Sequence, residues 1–304
     1  MQDSAVLLID CPDRRGLVAR VASLLYEQGA NILHADQHRD EALGLFFMRV
    51  EFALNGSPGE DVSPQPGGVD QGRLDQGLFD LARFERAFIP LARELEMRWT
   101  LTSSARRPRL ALFCSHYLHC MADLLERWRS GELRCEIPVI LSNHREVEGL
   151  AQFYAIPFVH VPVNPETRRE AEARQLAILA EHEVELVVLA RYMQVLSADF
   201  VARYPAAIIN VHHSFLPAFT GARPYHAAHL RGVKLIGATS HYVIEVLDDG
   251  PIIEQDVARI SHRDEVEDLV ARGRDLERVV LSRAVRWHLE RRILSYGNKT
   301  VVFD

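Results

Sequence analysis

The chain is poor in cysteine: four in 304 residues, Cys11, Cys114, Cys120 and Cys135, with no CxxC pair among them. Each sits among apolar neighbours, so a disulfide framework and a cysteine zinc site are both disfavoured, and a reduced, cytoplasmic interior is the expected compartment. No run approaches the roughly 18 consecutive apolar residues of a membrane span, and the opening MQDSAVLLID lacks the basic segment and long apolar stretch of a secretory signal. Long basic runs are missing too. The net charge of −7 comes from 35 basic and 42 acidic residues spread along the chain, which argues against a nucleic-acid partner. Neither a GxSxG nucleophile elbow nor an HExxH zinc motif is present.

What is there is the composition of a folded protein, 48% hydrophobic and 25% charged, over a length that predicts two domains. Ala5 to Ile9 reads as a strand. Asp13-Arg14-Arg15-Gly16 follows as a turn in which Asp13 can cap a helix. Leu17, Val18, Val21, Leu24 and Leu25 recur at helical spacing, and Gly29 stops that helix. Asn31 to His38 and Leu43 to Leu54 read as two strands, Leu78 to Arg93 as a helix, and Glu96 to Leu101 as a last strand. The order β-α-β-β-α-β predicts a ferredoxin-like domain over residues 1–102. Asn55 to Gly77, rich in Gly, Pro, Asp and Gln, reads as a flexible insertion within it.

A polar linker over 103–108 separates this domain from residues 109–304, where strands alternate with helices. The expected elements are strands Leu110 to Cys114, Glu136 to Leu141, Phe158 to Val163 and Leu186 to Ala190, with helices over Cys120 to Trp128 and near Glu166 to Glu181. That alternation predicts a Rossmann-like, mostly parallel α/β sheet, whose ligands collect at the carboxyl ends of its strands. Asp264 with Glu267 resembles a capping box opening a long final helix, and Thr300 to Phe303 can add a closing strand.

The chemistry concentrates in Ala207 to Pro217, where an apolar strand ends in Asn210, His212, His213 and Ser214. In an extended chain Asn210 and His212 face one side while Val211 and His213 face the other. Asp248 and Asp249 stand at a turn fixed by Gly250 and Pro251, and spacing alone does not choose between them. An amide, an imidazole and a carboxylate together can hydrolyse an amide bond. The carboxylate orients water and stabilises an imidazolium, the imidazole shuttles protons, and the donors steady the oxyanion. Ser214 beside His212 raises a serine hydrolase, and the histidines 212, 213, 226, 229 and 241 raise a metal; with neither motif present, both are set aside, and no metal is expected. His213 and His241 are expected to pack behind the site, and His119 and Cys120 either line it or pack.

Asn210-x-His212-x-Ser214 with Leu216-Pro217, then Gly221, His226 and Asp248-x-Gly250-Pro251, resembles the signature of the folate-dependent formyltransferases. The resemblance implies that Asn210, His212 and Asp248 are catalytic. It implies that Arg191, Tyr192, Met193, Val195, Leu196 and Ile244 bind a folate ring, with His119 and His226 also on the substrate. Where the glycinamide ribonucleotide formyltransferases carry a Gly-rich phosphate loop, this chain has Cys114 to Cys120, without glycine. Stretches such as Ser142-Asn143-His144 and Tyr296-Gly297-Asn298 resemble the deformylase branch instead, and the first domain resembles an ACT domain, the same domain order as in that branch. The resemblance therefore implies hydrolysis of 10-formyltetrahydrofolate to formate and tetrahydrofolate, supplying formate for purine synthesis and balancing one-carbon folate pools. No tightly bound cofactor is expected. A homo-oligomer is implied, with glycine or methionine as effector near Asp13, Gly16, Leu17, Asn31 and Ile32. The rivals are a transferase that passes the formyl group to an amine, and a non-enzymatic folate or amino-acid sensor.

Overall fold

The computed structural model describes residues 3–54, 79–218 and 224–304. The expected insertion from Asn55 to Gly77, the expected helical residue Leu78 and Gly221 of the site signature lie outside the described residues. The chain forms two compact units, Met1–Arg106 with Phe303–Asp304, and Arg107–Val302.

The first unit runs β1 (Ser4–Pro12), α1 (Leu17–Glu27), β2 (Asn31–Asp40), β3 (Leu45–Ala53), α2 (Leu81–Glu94) and β4 (Arg98–Ser103). Its sheet order is β2-β3-β1-β4 with every neighbour antiparallel, the ferredoxin-like arrangement the element order predicts. β1 is apolar along both faces because it lies inside the sheet. One face packs against Leu17, Val21 and Leu25 of α1 and Phe84, Phe88 and Ala92 of α2. α1 ends in the expected way: Gly29 takes a left-handed φ of 79°, and the N–H groups of Gly29 and Ala30 donate to the carbonyls of Tyr26 and Leu25. Its start differs from expectation. Gly16, at φ 87°, occupies the N-cap, so no side chain caps the helix, and Asp13 lies too far upstream to do so. Asp13 instead pairs with Arg39 Nε at 2.6 Å. β4 begins two residues later than the pattern suggests. Glu96 turns left-handed at φ 55°, and the Met97 N–H closes back on the Ala92 carbonyl, so both residues belong to the end of α2.

The second unit contains β5 (Arg109–Cys114), α3 (His119–Arg129), β6 (Glu136–Ser142), α4 (Glu148–Phe153), β7 (Phe158–His160), α5 (Arg168–Glu181), β8 (Leu186–Leu189), α6 (Ala198–Val201), β9 (Ile208–His212), α7 (Pro224–Arg231), β10 (Leu235–Tyr242), β11 (Ile252–Arg259), α8 (Val266–Leu289), β12 (Ile293–Tyr296) and β13 (Lys299–Val302). The sheet order is β11-β10-β9-β8-β5-β6-β7. β7, β6, β5, β8 and β9 are parallel, while β10 and β11 run antiparallel at one edge. Two core layers cover the faces: Leu112, Leu125, Val280 and Leu281 on one side, Phe113, Leu141, Leu179 and Phe200 on the other. The capping box of α8 falls one residue later than expected, on Glu265 and Asp268, because Asp264 is held by the Ser261 N–H and by Arg272. β13 forms a separate hairpin with β12 and does not close the main sheet.

Candidate active site

Chain order reverses at β5, with β6 and β7 on one side and β8 and β9 on the other, and a sheet of this kind opens a crevice at the carboxyl ends beside that reversal. A cavity of about 670 Å³ lies there, walled by the loop after β8, the end of β9 and the loop after β10. Arg191, Tyr192, Met193, Val195, Leu196 and Ile244, expected at a folate ring, all line it, as do Asn210, His212 and Asp248. Met193 and Val195 present exposed apolar surface to the opening. Tyr192 is turned inward, its ring edge-on to Phe113 and its hydroxyl accepting a hydrogen bond from Gln175 at 2.8 Å, so it shapes the wall from behind. The loop is pinned at Met193, whose N–H donates to Ser115 Oγ at 3.1 Å, and the Ser115 hydroxyl in turn donates to Asn143 at 2.6 Å.

Two side chains on β9, two residues apart, share a face, and so Asn210 and His212 stand together as expected. The His212 Nδ1 lies 3.2 Å from Asp248 Oδ2, while its Nε2 is buried without a partner among the described residues. Across the strand pair His241 sits opposite Asn210, and the amide donates to His241 Nε2 at 3.2 Å. His241 Nδ1 donates to the Tyr242 carbonyl at 2.9 Å, and its Nε2 lies 3.7 Å from Asp248 Oδ1. Burial pushes the Asp248 carboxyl up, but the hydrogen bond from His212 and the two neighbouring imidazoles outweigh it and hold the group well below the usual carboxylate range. Asp248 is therefore an ionised group that orients imidazoles.

The turn carrying Asp248 is tightly constrained. Asp248 takes a left-handed φ of 56°, costing a non-glycine residue about 1–2 kcal/mol. At Gly250 a Cβ would stand 1.8 Å from the Tyr242 carbonyl oxygen, so only glycine lets the turn close on β10. Asp249 is exposed and is not among the residues lining the cavity.

Expectation and structure part at several residues. His213 lines the cavity although β9 alternation would turn it away, because the strand ends at His212 and the pleat ends with it. Burial, with Arg191 and His212 nearby, pushes its pKa down to about 4, so it is neutral. His119 is not in the lining: its Nε2 donates to Glu277 Oε2 at 2.7 Å. Cys120 packs in the core. His226 is exposed on α7 and not in the lining. Ser214 spends its hydroxyl on the Ala218 carbonyl at 2.7 Å and is no nucleophile for His212. In the first unit Leu17 is 3% exposed and belongs to the core, while Gly16, Asn31 and Ile32 are at the surface.

The sequence matches the formyl transferase family over residues 108–285 and the ACT domain over 5–57. It is 51% identical over 302 residues to a formyltetrahydrofolate deformylase of Synechocystis sp., covering 99% of this chain and 98% of that one. A crystal structure of a formyltetrahydrofolate deformylase from Pseudomonas syringae superposes with a TM-score of 0.91 at 46% identity, covering 100% of this chain and 95% of that one. This chain belongs to the formyltetrahydrofolate deformylase family. A glycinamide ribonucleotide transformylase from Symbiobacterium toebii is more distant, at TM-score 0.61 and 29% identity over 65% of this chain.

In this deformylase-family chain a second buried group lies behind the cavity wall that no sequence pattern announces. Glu277 of α8, 1% exposed, accepts hydrogen bonds from His119 and from the Tyr225 hydroxyl at 2.8 Å, with Arg191 Nε at 3.5 Å. The Arg191 guanidinium also lies 5.0 Å over the Tyr117 ring. A lone Glu on a long amphipathic helix looks like a solvated residue, and only Gly273, one turn before it, hints at what it meets: a Cβ there would collide with Tyr225. Two groups of donor atoms among the described residues have metal-ligating chemistry, His116 with His144 and Glu146, and His119 with Cys120 and Glu277. No helix among the described residues is long and apolar enough to cross a membrane.

Proposed function

We propose that this chain hydrolyses 10-formyltetrahydrofolate to formate and tetrahydrofolate, with Asn210, His212 and Asp248 as the catalytic residues. The observation that carries the reading is the buried His212 Nε2 at the wall of the cavity, without a partner among the described residues and backed on its other nitrogen by the ionised Asp248. The folate ring is taken by the loop of residues 191–196, and the formyl group comes to Asn210 and His212. Water attacks the formyl carbon as its proton passes to His212 Nε2. Asp248 stabilises the resulting imidazolium and fixes the tautomer. Asn210 Nδ2, which has two N–H groups and gives one to His241, has the other to donate to the oxyanion. When the C–N10 bond breaks, the imidazolium proton goes to N10, and the formic acid released gives its proton to solvent and leaves as formate. Asp248 itself is too weak a base to take the proton from water, so its role is orientation and charge.

The ACT domain supports a small amino acid, glycine or methionine, as effector, bound near Asp13, Gly16, Asn31 and Ile32, and β2, an exposed edge strand, supports assembly with a second copy. The experiment on the site is kinetic. His212→Ala and Asp248→Asn lose most turnover while still binding folate; near-normal formate release by either variant overturns the assignment.

A further inference from the structure

We propose that His116, His144 and Glu146, at the carboxyl ends of β5 and β6, bind one divalent transition-metal ion of the zinc class. β5 and β6 are adjacent and parallel, so the loops that follow them leave the sheet at the same edge. One carries His116, the other His144 and Glu146 two residues apart. The three donor atoms lie within 4.8 Å of one another, His116 Nδ1 and Glu146 Oε1 at 2.8 Å, and the two imidazole rings have centroids 3.4 Å apart. Metal–ligand bonds of about 2.0–2.2 Å put donors about 3.3 Å apart around a tetrahedral ion, so coordination asks only that the two rings splay. They have room to do so: the His116 and Glu146 side chains are 52% and 53% exposed, which also gives an ion access.

Two imidazole nitrogens and one carboxylate oxygen suit Zn²⁺ or Co²⁺ and not Mg²⁺ or Ca²⁺, which favour all-oxygen shells. A fourth position remains for water or an anion. The other donor group, His119, Cys120 and Glu277, is a poorer host. Its carboxylate is already bonded to His119 and Tyr225, Arg191 Nε stands 3.5 Å from it, and burial pushes the Cys120 thiol well up. None of His116, His144 and Glu146 lines the 670 Å³ cavity. They are nonetheless joined to its wall, since Ser115 and Asn143, chain neighbours of His116 and His144, form the pair that holds the Met193 N–H. An ion here would lock the β5 and β6 loops across that same junction.

The site needs no folate and stands whether or not the chain hydrolyses a formyl group. The test is to strip the full-length protein with a chelator and titrate it with Co²⁺, following the visible absorption of the bound ion. The expected result is saturation at one Co²⁺ per chain, reversed by Zn²⁺. His144→Ala and Glu146→Gln should each weaken binding at least about tenfold, as loss of even an outer-shell partner does, while Cys120→Ala leaves it unchanged. Circular dichroism matching the parent shows that a variant is folded. Absence of a saturable band, binding undiminished in His144→Ala, or loss of binding in Cys120→Ala overturns the proposal.

Discussion

Asp248 is the residue on which the site turns. It touches both His212 and His241, and it occupies a left-handed backbone position that glycine at 250 makes possible. Asp248→Asn keeps the shape and removes the charge, so the account predicts a fall in kcat of about a hundredfold or more, with KM little changed. Steady-state kinetics check this; a loss confined to KM contradicts it. Behind the wall, Glu277→Ala leaves the Arg191 guanidinium, 9% exposed, without its carboxylate, and breaking such a buried pair costs about 3–5 kcal/mol. Urea unfolding measures that loss. Asn210 and His212 were legible as neighbours because their spacing at a strand end makes a pattern, whereas Asp248 was separated from Asp249 only by the family resemblance. His241, expected only to pack behind the site, also lines the cavity and meets Asn210 through an antiparallel strand pairing that no local pattern shows, and Glu277 was not legible because it meets its partners from a distant helix.

Elements were legible where periodicity was strong. The amphipathic α1 and α2, the apolar β5, β6 and β8, and the β-α-β-β-α-β order of the first unit follow directly from the pattern of apolar residues. β10 hid itself: its sequence LIGATSHY is half polar, yet the strand is buried from Ile236 to Tyr242. Inside, the Thr239 hydroxyl donates to the Ser214 carbonyl and accepts from the Leu216 N–H, which offsets its burial, while the buried Ser240 hydroxyl has no partner among the described residues. Without β10 in view, the antiparallel edge of the sheet could not be foreseen. The capping box slipped by one residue for a similar local reason, the engagement of Asp264 by Ser261 and Arg272. Glu265→Ala removes the real cap and should destabilise the protein by about 0.5–2 kcal/mol in urea unfolding, and Glu267→Ala should cost far less. The reverse order of these two would contradict the assignment of the cap.

At the scale of the whole molecule, two buried histidines set the response to acid. Burial drives the His213 pKa down to about 4 and that of His288 to about 3, both below the ordinary value near 6.5. The unfolded chain takes up these protons first. Stability is therefore full above about pH 6.5 and falls as the pH drops toward 4, each histidine contributing at most about 1.4 kcal/mol per pH unit. Asp248 and Glu277, both held below their usual values, keep their contribution until the pH falls into the ordinary carboxylate range near 4, so they account for little of the loss between pH 7.5 and pH 5. Urea midpoints at pH 7.5 and pH 5 test this, and equal midpoints contradict it. The ACT domain adds a second whole-molecule expectation: millimolar glycine or methionine changes the hydrolysis rate, and a flat rate across both removes that regulation. The central claim is that water is the acceptor of the formyl group. Purified protein incubated with 10-formyltetrahydrofolate and no amine should release formate and tetrahydrofolate in equal amounts over many turnovers. No release without an amine, and turnover once one is added, would make the chain a transferase and contradict the account.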